Sequence, residues 1–282
     1  MKARKLTAGK IAAYAKNLRA EDRAAATVEK YRRDITAFAG WLAERMVTKE
    51  LVSQWKNQLL AEGLSPATVN AKISALNGLF SFLGWQECRI KFLRVQRQLF
   101  REKSRELTRR EYERLVETAR KLGRARLELL METICSTGIR VSEVRYITVE
   151  AARDGQAVIH LKGKIRTILL SRKLCIKLLK YARKTKTATG EIFLTKSGNS
   201  LSRKQIWQEM KSLCAWAGVE PSKVFPHNLR HLFATIFYQV SRDLVKLADM
   251  LGHSSVETTR IYLMTSVSEH AKYLEKLRLV QL

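Results

Sequence analysis

Thr137-Gly138-Ile139-Arg140-Val141-Ser142-Glu143 is the stretch that decides how this chain reads. Upstream, apolar residues at helical spacing run through Met131, and downstream, β-branched residues gather around Asp154-Gly155 and Gly163. The stretch therefore marks a change from helix to a small sheet. It also sets Arg140 and Glu143 one helical turn apart, close enough to form a charge pair. Further polar residues follow in order: Lys162 between two strand-like segments, Pro226-His227-Asn228-Leu229-Arg230-His231, Leu251-Gly252-His253, and Thr258-Thr259-Arg260-Ile261-Tyr262. Singly, each has an ordinary explanation. A His-x-x-Arg is commonly a surface coincidence, a histidine after glycine a capped core residue, a lone tyrosine half-buried packing. Together, in one order and at these spacings, they point to a shared site.

The segments around this set predict a mainly α chain with a small β-sheet. Ala157-Val158-Ile159-His160-Leu161 and Thr167-Ile168-Leu169-Leu170 read as two strands, with Lys162-Gly163-Lys164-Ile165 as the turn between them. From Ser171 onward the pattern is mostly helical. Thr108 and Glu111 form a capping box ahead of the stripe Tyr112, Leu115, Val116, Ala119. Ser202-Arg203-Lys204-Gln205 opens a helix that carries Ile206, Met210 and Leu213. In the first hundred residues, Tyr31, Ile35, Phe38 and Leu42 recur at helical steps, with Lys30, Arg32 and Arg33 largely outside the stripe. Ser65-Pro66 starts a second helix with Val69, Ile73, Leu76, Phe80 and Leu83 on one face, and Gly84 is placed to end it. The expected organisation is a helical domain over 1–95, a charge-dense linker over 96–106, and a second domain over 107–282.

Composition narrows the class of partner. The chain has 282 residues and a formal net charge of +27, with 46% hydrophobic residues, enough to bury a core in each of two domains. Both parts are basic: 18 basic against 8 acidic residues in the first hundred positions, 35 against 18 in the rest. Such a surface attracts polyanions, and nucleic acid is the commonest of them. The four cysteines, Cys88, Cys135, Cys175 and Cys214, show neither zinc-ligand spacing nor a disulfide framework. No apolar run approaches the roughly 20 residues that span a bilayer, and the basic N-terminus lacks the apolar stretch of a signal peptide. A cytoplasmic location with reduced thiols, and no membrane partner, is the expectation.

The ordered set resembles the catalytic residues of the tyrosine recombinases, the family of phage integrases and the Xer chromosome-dimer resolvases. The likeness lies in T-G-x-R-x-S-E at Thr137–Glu143, H-x-L-R-H at His227–His231, L-G-H-x-S from Leu251, and T-T-x-x-Y ending at Tyr262. Weaker similarity covers the rest. The segments around Tyr31 and Ser65 resemble the family's N-terminal core-binding (SAM-like) domain, which precedes an α+β catalytic domain. The resemblance implies cleavage and rejoining of DNA through a covalent bond between Tyr262 and a 3′ phosphate. It implies that Arg140 and Arg230 grip the phosphate oxygens with paired hydrogen bonds, that His253 adds a donor, and that His227 exchanges the proton of the nucleophile. A phenol with a pKa near ~10 needs such a positive surround. Lys162 is the implied proton donor to the leaving 5′ oxygen. The turn is about one residue shorter than in Xer-like members, so Lys164 is an alternative in that role. Glu143 and His231 are expected to support their neighbours rather than touch the phosphate.

The phosphotyrosyl bond keeps the energy of the cleaved ester, so no nucleotide, divalent metal or other cofactor is expected, and neither a ligand cluster nor a P-loop appears in the sequence. Candidate phosphate contacts are Lys30, Arg32, Arg33, Lys72, Lys164, Arg203 and Lys204. After Tyr262, Ser266 and Glu269 suggest a capping box before Val267, Ala271, Leu274 and Leu277. Such a helix can pack on its own domain, but in the family a terminal segment of this kind often docks on a neighbouring protomer, so a homo-oligomer on double-stranded DNA, a dimer of dimers, is expected. Two other readings share these residues in part: a type IB topoisomerase-like enzyme, and a DNA-binding regulator on the same fold without catalysis. Within the recombinases, Leu263-Met264 departs from the Thr-His of many Xer proteins, which favours an integrase or invertase of a mobile element.

Overall fold

Side-chain caps start three of the four helices described in the first hundred residues. In the computed structural model, which describes residues 4–94, 105–161, 164–253 and 255–260, Thr7, Thr48 and Ser65 accept the backbone N–H groups of Lys10, Leu51 and Thr68. They open α1 (Ala8–Ala20), α3 (Lys49–Ala61) and α4 (Pro66–Phe82), and α2 (Ala25–Leu42) lies between the first two. Each cap satisfies a first-turn N–H that has no partner inside the helix. The chain divides into two compact units, Met1–Arg97 and Gln98–Leu282. The expected linker over 96–106 falls mostly outside the described residues.

The N-terminal unit is a helical bundle. Its core takes Ile35, Phe38 and Leu42 from α2 and Val69, Ile73, Leu76 and Phe80 from α4, the two stripes read from the sequence. Phe38 stands edge-on to Trp55 and to Phe80. Beyond α4, a 3-10 turn at Gln86–Cys88 leads into an extended segment held by two asparagines two helical turns apart. Asn77 donates to the carbonyl of Ile90 at 2.9 Å and accepts its N–H at 3.1 Å. Asn70 does the same for Leu93, at 2.9 and 2.8 Å. Each side chain thus supplies what a neighbouring strand would have supplied.

In the second unit, Thr108 and Glu111 close a reciprocal capping box at the start of α5 (Arg109–Lys121), which packs on α6 (Ala125–Thr137). A 3-10 turn at Val141–Tyr146 and the short α7 (Val149–Asp154) lead to β1 (Gln156–Leu161) and β2 (Lys164–Leu169), an antiparallel pair. The predicted turn is corrected here: Lys164 and Ile165 belong to β2, with Leu161 opposite Lys164 and His160 opposite Ile165. The alternation explains it. Ile168 is buried while Ile165 and Leu169 are exposed, so β2 keeps strand phase from its first residues. Lys162 and Gly163 lie outside the described residues.

Helices complete this unit: α8 (Arg172–Lys184), α9 (Arg203–Lys211), α10 (Cys214–Ala217), α11 (Pro226–Ser241), α12 (Leu244–Leu251) and α13 (Val256–Arg260). Ser202 and Gln205 cap α9 reciprocally, and Ile206, Met210 and Leu213 are buried as expected. The four cysteines are free thiols. Among the described residues no helix is long and apolar enough to cross a membrane. Residues 261–282, with Tyr262 and the predicted terminal helix, lie outside the described residues.

The asparagine clamp has a measurable consequence. Asn77 is 7% exposed, so Asn77→Ala strands a buried donor and a buried acceptor of Ile90. In urea unfolding of the full chain it lowers stability by about 2 kcal/mol. An unchanged midpoint would mean that water replaces the clamp.

Candidate active site

Two helix ends prepare the site. The last residues of α6 and α12 are followed by Gly138 and Gly252, both left-handed, at φ 65° and 62°. Glycine is required at Gly138 on a second ground: a Cβ there would overlap the ring of Phe233. A helix C-terminus leaves carbonyls without intrahelical partners and carries the negative end of the helix dipole. Arg230 answers both ends at once. One arm of its guanidinium donates to Gly138 O and the other to Leu251 O, the latter at 2.8 Å. Arg230 sits in the second turn of α11, whose backbone starts with Pro226 at the first helical position, and it is 2% exposed. A charge buried that deeply needs such partners.

The Gly252 turn brings His253 against Arg230, with Nε2 2.9 Å from Arg230 Nη2. A guanidinium has donors only, so Nε2 accepts and the imidazole proton lies on Nδ1. That N–H donates to Thr259 Oγ1 at 2.8 Å, and Thr259, on α13, is fully buried. Burial above all, then the positive charges of Arg230, Arg140 and Arg166 and finally His227, push the His253 pKa from 6.5 down to about 4. His253 is therefore neutral at pH 7.

Arg140 caps the 3-10 turn that follows Gly138. Its backbone N–H donates to Glu143 Oε2 at 2.7 Å and its Nη1 to Oε1 at 3.0 Å. Glu143 is 1% exposed, whereas the Arg140 side chain is 40% exposed and open to a ligand. Glu143 Oε2 also accepts from Arg166 Nη2, on β2, at 2.5 Å. His227 lies one turn before Arg230 on the exposed side of α11, and His231 is buried beside Thr235. The structure thus gathers Arg140, Glu143, His227, Arg230 and His253 into one cluster, with the buried His231 next to Arg230 on α11. Lys162 and Tyr262 fall outside the described residues, and Lys164 opens β2.

Two members of the cluster went unassigned in the sequence reading, Arg166 and Thr259. Thr259 stood in the quoted motif without a role. Arg166 had a legible signal: it is in phase with Ile168, on the face of β2 that turns inward, where a charged residue asks for an explanation. The candidate phosphate contacts divide. Arg33, Arg203 and Lys204 are exposed, and Arg32 pairs with Glu29 at 2.8 Å. Lys30 and Lys72 both bind Asp34, at 3.1 and 3.3 Å, and Asp34 is 4% exposed.

The low His253 pKa links stability to pH. Unfolded, the imidazole takes a proton near pH 6.5; folded, it resists until about 4. The contribution of neutral His253 is therefore present above pH 6.5 and lost as the pH falls through about 4. The unfolding midpoint should drop across that window, and less steeply in His253→Gln. Histidine NMR of the folded chain should place its titration near 4; a midpoint near 6.5 would contradict the crowding of cations described here.

Comparison with known proteins agrees with this architecture. The model of the Phage integrase family matches residues 105–269, and that of the Phage integrase, N-terminal SAM-like domain matches residues 11–87. The chain is 31% identical to "Tyrosine recombinase XerD" of Brucella suis biovar 1 (strain 1330), over 86% of this chain and 90% of the relative. It is also 31% identical to "Tyrosine recombinase XerC" of Erythrobacter litoralis (strain HTCC2594), over 85% and 81%. Among solved structures, a lambda integrase tetramer bound to a Holliday junction has the same fold, with a TM-score of 0.74 and 18% identity over 93% of this chain and 78% of that one. With both domain models matched in order, and a cluster of guanidinium and imidazole groups where the catalytic domain gathers its motifs, the chain belongs to the phage integrase family and is a site-specific tyrosine recombinase.

Proposed function

We propose that the pocket between Arg140, Arg230 and His253 holds the scissile phosphate of double-stranded DNA and that Tyr262 attacks it. One observation carries this reading: the guanidinium groups of Arg140, Arg166 and Arg230 and the imidazole of His227 crowd around His253, while a single buried carboxylate, Glu143, pairs with only two of them, Arg140 and Arg166. Such an arrangement favours an oxyanion and stands ready before negative charge develops. The tyrosine oxygen forms a bond to phosphorus while the bond from phosphorus to the 5′ oxygen breaks. This leaves a 3′-phosphotyrosyl ester and a 5′ hydroxyl. His227, exposed at the start of α11, takes the phenolic proton. Lys162, or Lys164 two residues on, protonates the 5′ oxygen. Attack by a 5′ hydroxyl on the phosphotyrosyl ester reverses the step and needs no nucleotide or divalent ion.

A bound phosphate also changes His253. Its negative charge stabilises the imidazolium, so the pKa rises from about 4 in the complex. Nε2, an acceptor from Arg230 in the neutral ring, then carries a proton and can donate it to the phosphate. Arg33 in the N-terminal unit, and Arg203 and Lys204 in the second, are exposed cations suited to backbone phosphates. Within the N-terminal unit, Lys30 and Lys72 share Asp34 and so present a reduced net charge. Residues 266–282 are the proposed contact to a second protomer in a dimer of dimers, a reading supported by the tetrameric integrase neighbour.

On a nicked duplex carrying its site, the wild type forms a covalent adduct at a 3′ phosphate with EDTA present, seen as a shifted band on a denaturing gel. Tyr262→Phe binds the duplex and forms none. Arg140→Ala slows adduct formation by about 10²–10³-fold. An adduct in Tyr262→Phe, or one that needs magnesium, rejects the mechanism. Deleting residues 266–282 impairs strand exchange between two sites more than binding to one half-site in a gel-shift assay; equal loss of both would exclude a role between protomers.

A further inference from the structure

The cluster contains one charged side chain to which none of these steps gives a role. Arg166 is carried on the inward face of β2, and its side chain is only 15% exposed. A guanidinium in that position is costly to desolvate, and burial lowers its pKa, with the nearby charge of Arg140 acting in the same direction and Glu143 opposing both. Its Nη2 holds Glu143, but its Nε and Nη1 are buried without a hydrogen-bond partner among the described residues. Arranging a strand to carry this charge inward therefore works against stability. Such a cost persists where the group serves the site.

The contacts of Arg166 indicate that service. Through Glu143 it reaches Arg140, because Oε2 of that carboxylate accepts both Arg166 Nη2 and the Arg140 backbone N–H. Its stem crosses Gly252 so closely that a Cβ there would overlap Cδ and stand 2.6 Å from Nη1. Gly252 is the left-handed residue that turns the chain into His253. Arg166 thus touches both segments that deliver phosphate-binding groups, the Arg140 turn and the Gly252–His253 turn, which are more than a hundred residues apart in sequence.

We infer that Arg166 is a positioning residue of the phosphate pocket: it clamps the Glu143 carboxylate and the Gly252 turn together, and so fixes Arg140 and His253 relative to one another before DNA binds. This rests on the reading of the pocket as the phosphate site. The charge of Arg166 contributes as well as its shape. Among the described residues, the charged and polar groups facing His253 include Arg230 and His227 from α11, Arg140 at the start of the 3-10 turn, Arg166 from β2, and the neutral Thr259 from α13. Loss of the Arg166 charge leaves His253 easier to protonate.

The test uses the full chain and a nicked duplex whose site is first selected by covalent capture from a random-sequence pool by the wild type. Failure of the wild type to capture any DNA would reject the phosphate-site reading itself, separately from the role of Arg166. With the site in hand, Arg166→Gln is expected to lower the single-turnover rate constant of adduct formation at least tenfold. Its affinity for the duplex should stay within threefold of wild type, and the fraction of chains that finally react should be unchanged. Its His253 titration, read by NMR without DNA, moves upward from about 4. Arg166→Lys keeps the charge but cannot span Glu143 and Gly252 together. It should leave the His253 midpoint near wild type and react at an intermediate rate. A wild-type rate constant in Arg166→Gln overturns the inference. So does a loss confined to affinity or to the reactive fraction, which a merely structural role produces, or an unmoved His253 midpoint. Should Arg166→Gln not fold, Arg166→Lys decides alone: a rate constant lowered at least threefold at unchanged affinity supports the clamp, and a wild-type rate rejects it.

Discussion

The Glu143 carboxylate is the constraint on which the pocket depends. At 1% exposure it is tolerable only with its charge and lone pairs answered, and it takes two hydrogen bonds from Arg140 and one from Arg166. Each of these groups makes the others affordable: remove a guanidinium and an anion is left buried, remove the anion and two cations face each other. The carboxylate also settles orientation. By holding Arg140 at its backbone and at one arm, it leaves the rest of that guanidinium directed outward, where a phosphate can meet it.

Arg230 solves a different problem with similar economy of parts. Helix ends expose carbonyl groups that something must satisfy, and the ends of α6 and α12 meet at this one side chain. The positive charge of Arg230 is stabilised by two helix C-termini and is in turn aimed by them. The neutral, acceptor state of His253 follows from its contact with that charge. Stability of the catalytic unit and readiness for an anion are therefore the same set of contacts, viewed without and with a ligand.

In the N-terminal unit the balance differs. Asp34 is buried between Lys30 and Lys72, so two of the cations that a count of basic residues assigns to a polyanion are partly answered from within the bundle. Arg33, by contrast, is exposed on α2. Net charge predicts the sign of the partner, but not which side chains are at liberty to meet it.

Much was determined by the sequence alone, because local signals act over a few residues. The caps at Thr108, Ser202 and Ser65, the stripes of α2 and α4, and the order of the Arg140, His227–His231 and His253 motifs depend on near neighbours, and they survive in the folded chain. Tertiary structure alone decided what distant segments do to one another. The start of β2 at Lys164 depends on pairing with β1, the pKa of His253 on cations from three separate elements, and the withdrawal of Lys72 on Asp34 of another helix. Arg166 belongs to both: strand phase marks it as inward-facing, yet only the folded chain places it between Glu143 and Gly252. The physical reason is range, since hydrogen bonds and hydrophobic periodicity write themselves into adjacent residues, whereas burial and charge crowding are made by residues that meet only after folding.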